Sequence, residues 1–400
     1  VVVTTPEFLP KVTAAVAGSD VHRVVVGPAG DGVLAFDDLA SGDDAPLADV
    51  DPTSMAALLY TGGTTGRSKG VVLSHDALSA AAWSAVLAGV DDEFDVSLLP
   101  LPLAHAYGLL VATMGLHAVR PSRTVLMRWF DPDGWLQLAQ DQHVQSAAVV
   151  PTMLRLLLTK PLEQYDLGAL RRMVSGSAPL PAEILAGWNR RVPTVEIVEG
   201  YGCSETAALA CTTPLGRAKA GSVGPAAPAV DVRIEPLDGP DGASVPAGTD
   251  GEICVRSNSL MTGYWNDPDT TALALRGGWF HTGDVGHLDE DGYLFVVDRI
   301  KDVIIRGGFN VYPRDVEEVL MQHPAVAVAA VIGRPDTEHG EEVVGYVQLA
   351  DGATASPDDL VAFARDRLSA VKYPREVHVV EQMPLTSIGK LDRKALRTSR

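Results

Sequence analysis

The stretch Tyr60–Gly70 reads YTGGTTGRSKG and follows the apolar run MAALL. Glycine lets the backbone approach an anion and turn its N–H groups towards it, and the threonine hydroxyls and Lys69 add further donors. The segment therefore predicts a phosphate-binding loop, although an ordinary strand-to-helix turn would use the same residue types. It does not fit the Walker P-loop, in which Gly-Lys is followed by Ser or Thr, because Lys69 is followed by Gly70.

The pattern on either side of this loop predicts an α/β fold. Between residues 56 and 200, short apolar runs alternate with longer helical patterns, which is typical of β-α units around a mostly parallel sheet. From 220 to 297, short strands separated by Gly, Pro and Asp turns indicate a small β-barrel or an antiparallel sheet. We predict an N-terminal domain over 1–298 that includes this β-rich subdomain, and a small α+β C-terminal domain over 302–400.

Composition and charge exclude several classes of protein. The 400 residues are 46% hydrophobic and 21% charged, which describes a globular protein of two or more domains. A net charge of −19 argues against a nucleic-acid surface. No apolar run approaches the roughly 20 residues that span a bilayer. The three cysteines are too few and too irregularly spaced for a disulfide framework or a zinc site, so we expect a reducing cytoplasm.

Five long motifs carry a family resemblance. They read LLYTGGTTGRSKGV, EGYGCSET, GGWFHTGD, DRIKDVIIRGGFNVYP and PLTSIGKLDRKAL. In this order they resemble the adenylate-forming superfamily, which includes acyl-CoA synthetases, adenylation domains of peptide synthetases and firefly-type luciferases. Within this superfamily, the residue pattern of the chain most resembles that of bacterial fatty-acyl-CoA ligases. The first motif departs from the family pattern at Gly62, where Ser is usual, and at Ser68, where Pro is usual.

The resemblance implies a two-step reaction that uses ATP, Mg²⁺ and coenzyme A. A carboxylate attacks the α-phosphate of ATP, pyrophosphate leaves, and a thiol then takes the acyl group from the acyl-adenylate. The first step brings two anions together, so it needs cations and neutral donors around the phosphates. Glu205 is the implied Mg²⁺ ligand, since a hard divalent ion prefers carboxylate and phosphate oxygens. Ser204 would donate its hydroxyl to the α-phosphate.

The resemblance also implies the contacts of the nucleoside. Tyr201 would stack on the adenine, and Asp284 would accept hydrogen bonds from the ribose hydroxyls with Arg299 beside it. The full set of implied ATP- and AMP-binding residues is Thr61, Gly62, Gly63, Thr64, Thr65, Gly66, Lys69, Gly176, Ser177, Ala178, Gly200, Tyr201, Gly202, Ser204, Asp284, Arg299 and Lys390.

The C-terminal domain is expected to swing between the two half-reactions about a hinge at 299–301, with Lys301 at the hinge position. One face would present Lys390 to the carboxylate and the α-phosphate. The other would present Gly307 and Gly308 to the pantetheine passage, where a narrow channel would tolerate no Cβ. The implied catalytic residues are Lys390, Ser204, Glu205, Lys69 and His105.

The segment PLPLAHAYG and the small residues near it indicate which type of carboxylic acid would be the substrate. His105 resembles the gate beside the acyl carboxylate, and Tyr107 would lie along the acyl chain. Residues 104–108 contain no Asp to hold a substrate ammonium, which favours an acid without an amine. The remaining acyl-pocket candidates, Ala178, Ala207 and Ala208, are small and apolar and suit a fatty acyl chain.

Three functions remain open at this point. Free CoA is the expected acceptor, because no carrier-protein segment follows Lys390. A stand-alone enzyme that loads a separate acyl carrier protein is the first alternative, and a nucleotide-binding protein without turnover is the second. The sequence leaves a homodimer open. Relatives carry about 100 residues ahead of the strand that matches VVVTT, and losing part of a parallel sheet exposes an edge, so we expect the natural neighbour of Val1–Thr4 to lie upstream.

Overall fold

A computed structural model describes residues 1–30, 32–40, 49–61, 68–89, 94–239, 242–384 and 391–398. The chain divides into two units, Val1–Asp51 and Pro52–Arg400, which are taken separately below.

The first unit is built on a small parallel sheet. Its strands lie in the order β1-β2-β3, and Val24 and Val25 at its centre are fully buried. The strand predicted at Val1–Thr4 is present and pairs with a strand downstream of it. The elements are β1 Val2–Thr4, α1 Leu9–Ala15, β2 Arg23–Val25, β3 Leu34–Ala35 and α2 Phe36–Ala40.

The second unit opens with a β-hairpin around the glycine loop. The two hairpin strands, β4 and β5, are antiparallel. A short strand from much later in the chain, β14 (Gly263–Tyr264), pairs with β5, which gives the order β14-β5-β4. A helix follows directly, capped by Ser74, whose side chain accepts from the backbone N of Ala77 at 3.1 Å. The elements are β4 Met55–Thr61, β5 Lys69–Ser74 and α3 His75–Leu87.

A six-stranded sheet forms the middle of this unit, in the order β11-β10-β9-β8-β6-β7. All its pairs are parallel except the one between β10 and β11. Strands covered on both faces read as continuous apolar runs, and all four residues of Ser146–Val149 are buried. Trp135 and Trp188 pack into the same core. The strands are β6 Val96–Leu99, β7 Arg123–Leu126, β8 Ser146–Val149, β9 Arg172–Ser175, β10 Glu196–Tyr201 and β11 Cys211–Thr212, and the helices are α4 Ala106–Met114, α5 Pro132–Asp141, α6 Pro151–Leu158 and α7 Ala182–Arg191.

The β-rich region is an antiparallel sheet in the order β12-β13-β15-β16, the second of the two forms expected from the sequence. Its inner side chains share a hydrophobic core with the glycine-loop hairpin and with α3 and α4. This shared core brings the hairpin and the sheet to one region of the molecule. The elements are β12 Val230–Glu235, β13 Gly251–Ser257, β14 Gly263–Tyr264, α8 Pro268–Ala274, β15 Phe280–Leu288 and β16 Leu294–Arg299.

The last part of the chain is a second α/β layer with its own core. Four of its strands are antiparallel, in the order β18-β17-β20-β19, and the fifth runs parallel to β20. The predicted hinge coincides with a 3₁₀ turn at Ile300–Asp302 between two strands. The elements are β17 Ile304–Arg306, β18 Phe309–Val311, α9 Pro313–Met321, β19 Val326–Asp336, β20 Gly340–Leu349, α10 Pro357–Arg365, β21 Glu376–Val380 and α11 Arg393–Thr398.

The architecture confirms the expected α/β fold with parallel layers, a β-rich region and a small α+β region at the end. Among the described residues, none of the helices is both long enough and apolar enough to cross a membrane. The domain boundary and the hinge motion stay predictions.

Candidate active site

The glycine loop joins two neighbouring antiparallel strands. Thr61 pairs with Lys69 across the hairpin, and Tyr60 pairs with Gly70. The strand-to-helix turn considered for this segment is therefore wrong, because the chain continues from the loop into β5. The hairpin also distinguishes this loop from a Walker P-loop, which leads directly into a helix. The predicted phosphate contacts Gly62, Gly63, Thr64, Thr65 and Gly66 lie outside the described residues.

Lys69 and Glu205 meet at one tyrosine that sequence reasoning missed. The Nζ atom of Lys69 lies 4.7 Å from the ring centroid of Tyr264, and the Tyr264 hydroxyl donates to Glu205 Oε1 at 2.9 Å. The predicted phosphate lysine and the predicted metal ligand thus share a neighbour. Tyr264 lies in none of the five motifs, and no spacing rule connects position 264 with 69 and 205.

The motif EGYGCSET forms a tight, strained turn after β10. Ser204 and Glu205 lie in a 3₁₀ turn, and the next two residues, Ala207 and Ala208, have φ angles of 49° and 74°, in the left-handed region. A Cβ on Gly202 would come within 2.2 Å of the Ala208 carbonyl oxygen. Left-handed non-glycine residues cost free energy and persist only where surrounding structure holds them. The turn is therefore a fixed platform for Ser204 and Glu205.

Ala207 and Ala208, which were expected to line the acyl pocket, both contact the hydrophobic core. Ala207 is 2% exposed and belongs to the hydrophobic core, and Ala208 packs against the same core. In this structure, Ala207 shapes the turn and presents almost no surface to a ligand. Its part in the pocket stays a prediction.

The predicted nucleoside contacts lie side by side. The Tyr201 hydroxyl donates to Asp284 Oδ2 at 2.7 Å, and Arg299 Nε lies 3.1 Å from Asp284 Oδ1. Asp284 and Arg299 are directly opposite each other on β15 and β16. Burial raises the pKa of Asp284, and the Arg299 guanidinium partly offsets that effect. A carboxylate has about four acceptor sites, so Asp284 keeps capacity for the ribose hydroxyls beside its two present partners.

The segments around His105 and Gly176 also contact each other. The Tyr107 hydroxyl donates to the Val174 carbonyl oxygen at 2.8 Å, and a Cβ on Gly176 would lie 3.1 Å from the Tyr107 ring. His105 caps α4, since its Nδ1 accepts from the backbone N of Tyr107 at 3.2 Å. Ser177 has a φ of 67°, a further left-handed residue. Ala178 follows it, so this strand end and α4 enclose one corner of the predicted acyl site.

The C-terminal candidates are described in part. The pKa of Lys301 is lowered to about 8, first by burial of the amine and then by the neighbouring Arg299 guanidinium. Much of the rest of the Lys301 side chain is exposed. Gly307 and Gly308 form a two-residue hairpin turn with φ angles of 57° and 81°, which glycine adopts without strain. A Cβ on Gly308 would meet no atom within 4 Å in this structure, so the positive φ is by itself a reason for glycine there. The place of Gly307 and Gly308 in the pantetheine passage stays a prediction. Lys390 lies outside the described residues.

A buried cluster that includes His281 of the motif GGWFHTGD contains groups that can bind metals. Cys254 Sγ lies 3.4 Å from His281 Nδ1, which is also 2.9 Å from Glu252 Oε2, and a Glu235 oxygen lies within 4.8 Å of the thiol and the imidazole. Both carboxylates already have cationic partners, Arg276 for Glu252 and Arg233 for Glu235. These ion pairs offset the charges of the acids without an ion, and the cluster ties β12, β13 and β15 together.

Comparison with known proteins decides the family. The model for AMP-binding enzymes matches residues 1–265, and the model for their C-terminal domain matches residues 315–390. The chain belongs to the AMP-binding enzyme family. Members of this class are AMP-forming acid ligases that use ATP, Mg²⁺ and CoA, as the five motifs had indicated.

Similar members of the AMP-binding enzyme family differ in acid and acceptor. A fatty acid–[acyl-carrier-protein] ligase of Streptomyces coeruleorubidus is 40% identical over 87% of this chain and 68% of its own length. A long-chain-fatty-acid–CoA ligase of Bacillus subtilis is 38% identical over 87% of this chain and 62% of its own length. A feruloyl-CoA synthase of Amycolatopsis is 37% identical over 98% and 77%.

Solved structures share the fold of this AMP-binding enzyme. ATP-bound MatB of Rhodopseudomonas palustris has a TM-score of 0.88 at 34% identity, over 99% of this chain and 78% of that one. O-succinylbenzoate coenzyme A synthetase of Bacillus subtilis, in complex with ATP and magnesium ion, has a TM-score of 0.83 at 29% identity, over 98% and 78%. The Mg²⁺-ATP chemistry of the class suits the donor set found here, in which a carboxylate and an ammonium flank Tyr264.

Proposed function

We propose that the enzyme joins a carboxylic acid to AMP and then to coenzyme A. An oxygen of the carboxylate forms a bond to the α-phosphorus of ATP as the bond to pyrophosphate breaks. The CoA sulfur then attacks the acyl carbonyl, and AMP leaves with the electron pair of the broken C–O bond. The observation that carries the proposal is the contact of Asp284 with both Tyr201 and Arg299, which supplies a ring and a buried carboxylate for a nucleoside.

Each side chain has a defined task in the first step. Asp284 accepts from the ribose hydroxyls, and Ser204 donates to the α-phosphate. Bound Mg²⁺ would supply positive charge at the phosphates, and Glu205 is the carboxylate that would hold it. Lys69 offsets the charge that develops on the departing pyrophosphate. Interactions that strengthen as this charge develops lower the barrier, whereas uniform ones only tighten binding.

The remaining tasks belong to the C-terminal region and to the acyl side. Lys390 contacts the reacting carboxylate and α-phosphate during adenylation. The region after the hinge at 299–301 then rotates, so that the turn at Gly307 and Gly308 faces the incoming thiol. His105 and Tyr107 line the entry to the acyl site beside Gly176.

The proposed acid is a fatty acid. Residues 104–108 contain no acidic side chain to bind an ammonium, and the side chain of Ala178 is small and apolar. Two of the similar proteins are named for fatty acids. Aromatic acids are the competing substrates, since a feruloyl-CoA synthase is nearly as similar over more of this chain.

A second candidate acceptor is supported by one comparison. The fatty acid–[acyl-carrier-protein] ligase is 40% identical to this chain, slightly more than the CoA ligase at 38%. Loading of a carrier protein would show adenylation without CoA turnover. A phosphopantetheinylated carrier protein would then restore product formation.

The proposal is tested by separating the two half-reactions. Lys390→Ala should abolish acyl-adenylate formation yet spare thioester formation from supplied acyl-adenylate and CoA, because the lysine acts only in the first step. Lys394→Ala, four residues further along the same segment, is the matched control and should leave both steps unchanged. Equal loss of both half-reactions in Lys390→Ala would contradict the role given to Lys390.

A further inference from the structure

Tyr264 lies between the two charged groups that serve the phosphates of ATP. Its hydroxyl contacts Glu205, and its ring faces the Lys69 ammonium. We propose that Tyr264 is a positioning residue that aims the metal-binding carboxylate and seats the phosphate lysine before ATP binds. The inference rests on the proposed function, and it adds a residue that none of the five motifs contains.

The backbone fixes Tyr264 in the frame of both partners. Tyr264 pairs with Val71 on β5, two residues after Lys69, so ring and ammonium belong to one small sheet. Its own N–H donates to Thr271 Oγ1 at 2.8 Å. Met261 N donates to the Glu205 carbonyl oxygen at 2.8 Å, which ties the turn that carries Glu205 to the strand that carries Tyr264. The three residues are therefore placed by hydrogen-bonded backbone and not by side-chain contact alone.

The hydroxyl is suited to hold an ionised carboxylate. A phenol, with an ordinary pKa of about 10, keeps its proton at neutral pH and can donate it to the carboxylate. Hydrogen bonds to a charged acceptor are stronger than neutral ones. The bond at Oε1 restricts rotation of the carboxylate, and a carboxylate has acceptor sites left for a metal. Fixing the ligand in advance lowers the ordering cost of metal binding.

The ring gives Lys69 a defined resting place. An ammonium over a tyrosine face is attracted by the ring quadrupole, weakly enough that a phosphate can draw it away. Lys69 lies over the ring of Tyr264 and Glu205 contacts its hydroxyl, so this side chain keeps the two charged groups apart. A direct ion pair between them would have to be broken before Mg²⁺ and phosphate could bind.

Two variants separate the hydroxyl from the ring. Tyr264→Phe keeps the ring under Lys69 and removes the bond to Glu205, whereas Tyr264→Leu removes both contacts. The matched control is Tyr293→Phe, because Tyr293 also donates its hydroxyl, to the Arg217 carbonyl oxygen at 3.1 Å, and lies under a lysine, Lys219, at 4.4 Å. Those contacts involve none of the predicted ATP-binding residues.

The first readout is the Mg²⁺ concentration that gives half-maximal acid-dependent pyrophosphate release at fixed ATP. Tyr264→Phe should raise it about tenfold, which corresponds to about 1.4 kcal/mol, and excess Mg²⁺ should restore the rate to within about twofold. Tyr264→Leu should in addition lower the rate at saturating Mg²⁺, because the Lys69 ammonium no longer has the aromatic ring to position it. A half-maximal Mg²⁺ concentration equal to that of Tyr293→Phe would overturn the proposal.

A second readout keeps this test apart from the proposed function. Mg²⁺-dependent ATP binding is measured by calorimetry on the wild-type chain and on each variant, with melting temperatures recorded. Tyr264→Phe should weaken binding at low Mg²⁺ without a lower melting temperature than the control. Absence of acid-dependent pyrophosphate release in the wild type would refute the ligase. Unchanged Mg²⁺-dependent ATP binding in Tyr264→Phe would refute the positioning role alone.

Discussion

Replacing Asp284 by asparagine separates nucleotide binding from stability. The substitution keeps one acceptor oxygen for the ribose diol, replaces the other by an NH2 group and removes the negative charge. A hydrogen bond to a charged group contributes about 1.5–3 kcal/mol, so the loss of one should weaken ATP binding by roughly 10- to 100-fold. Calorimetric titration of the protein with Mg²⁺-ATP measures the change directly.

The sign of the stability effect follows from the raised pKa of Asp284. Between the ordinary aspartate pKa and this raised value, the folded state binds more protons than the unfolded state, so stability falls as pH rises through that interval. Above the raised pKa the full cost of ionising a buried carboxyl is present, and asparagine removes it. Arg299 loses its partner but is about half exposed, so water can replace the carboxylate. The melting temperature should stay the same or rise.

Asp289→Asn is the matched control with the opposite sign. Asp289 pairs with Lys219, which lowers the pKa of the carboxyl and stabilises the folded state above the ordinary aspartate pKa. The control should melt slightly lower at pH 7 and bind ATP as the wild type does. The reasoning is refuted if Asp284→Asn binds ATP normally, or if its affinity falls only together with a lower melting temperature.

Two further predictions rest on other parts of the structure. Gly202→Ala should destabilise the protein by about 1–3 kcal/mol or more in urea unfolding, because its Cβ would clash with the Ala208 carbonyl oxygen, whereas Gly308→Ala should cost only about 1 kcal/mol for its positive φ. Lys301, with a pKa of about 8, should be acetylated faster at pH 8 than Lys160, whose pKa is raised by Asp133, and equal labelling by mass spectrometry would contradict the lowered pKa.

The order of elements could be read from the sequence because each one is specified locally. The four buried residues of Ser146–Val149 and the capped helix after Ser74 carry their own patterns. The same holds for the contact between Tyr201 and Asp284, because a family resemblance had placed both residues at one nucleoside. Local pattern therefore predicted the fold, and the family motifs picked out residues that the structure places together. Their role at a nucleoside stays a prediction.

The features of the site that the sequence did not predict depend on which strands pair with each other. The glycine loop lies in a hairpin because β4 and β5 pair, which glycine content alone does not specify. Tyr264 reaches Glu205 across 59 positions of sequence, and only the pairing of β14 with β5 brings it there. The positive φ at Gly308 was not expected from the sequence, and it gives a reason for glycine beside the predicted pantetheine passage.

The most direct test of the central claim is pyrophosphate release with ATP and Mg²⁺ over a panel of acids from C2 to C18, benzoate and ferulate, with and without CoA. The account predicts that a fatty acid gives the fastest release, that CoA accelerates it, and that CoA is consumed in equal amount. Release without CoA turnover would indicate a carrier-protein acceptor instead. No release with any acid, from a chain that binds Mg²⁺-ATP, would contradict the assignment as an acid ligase.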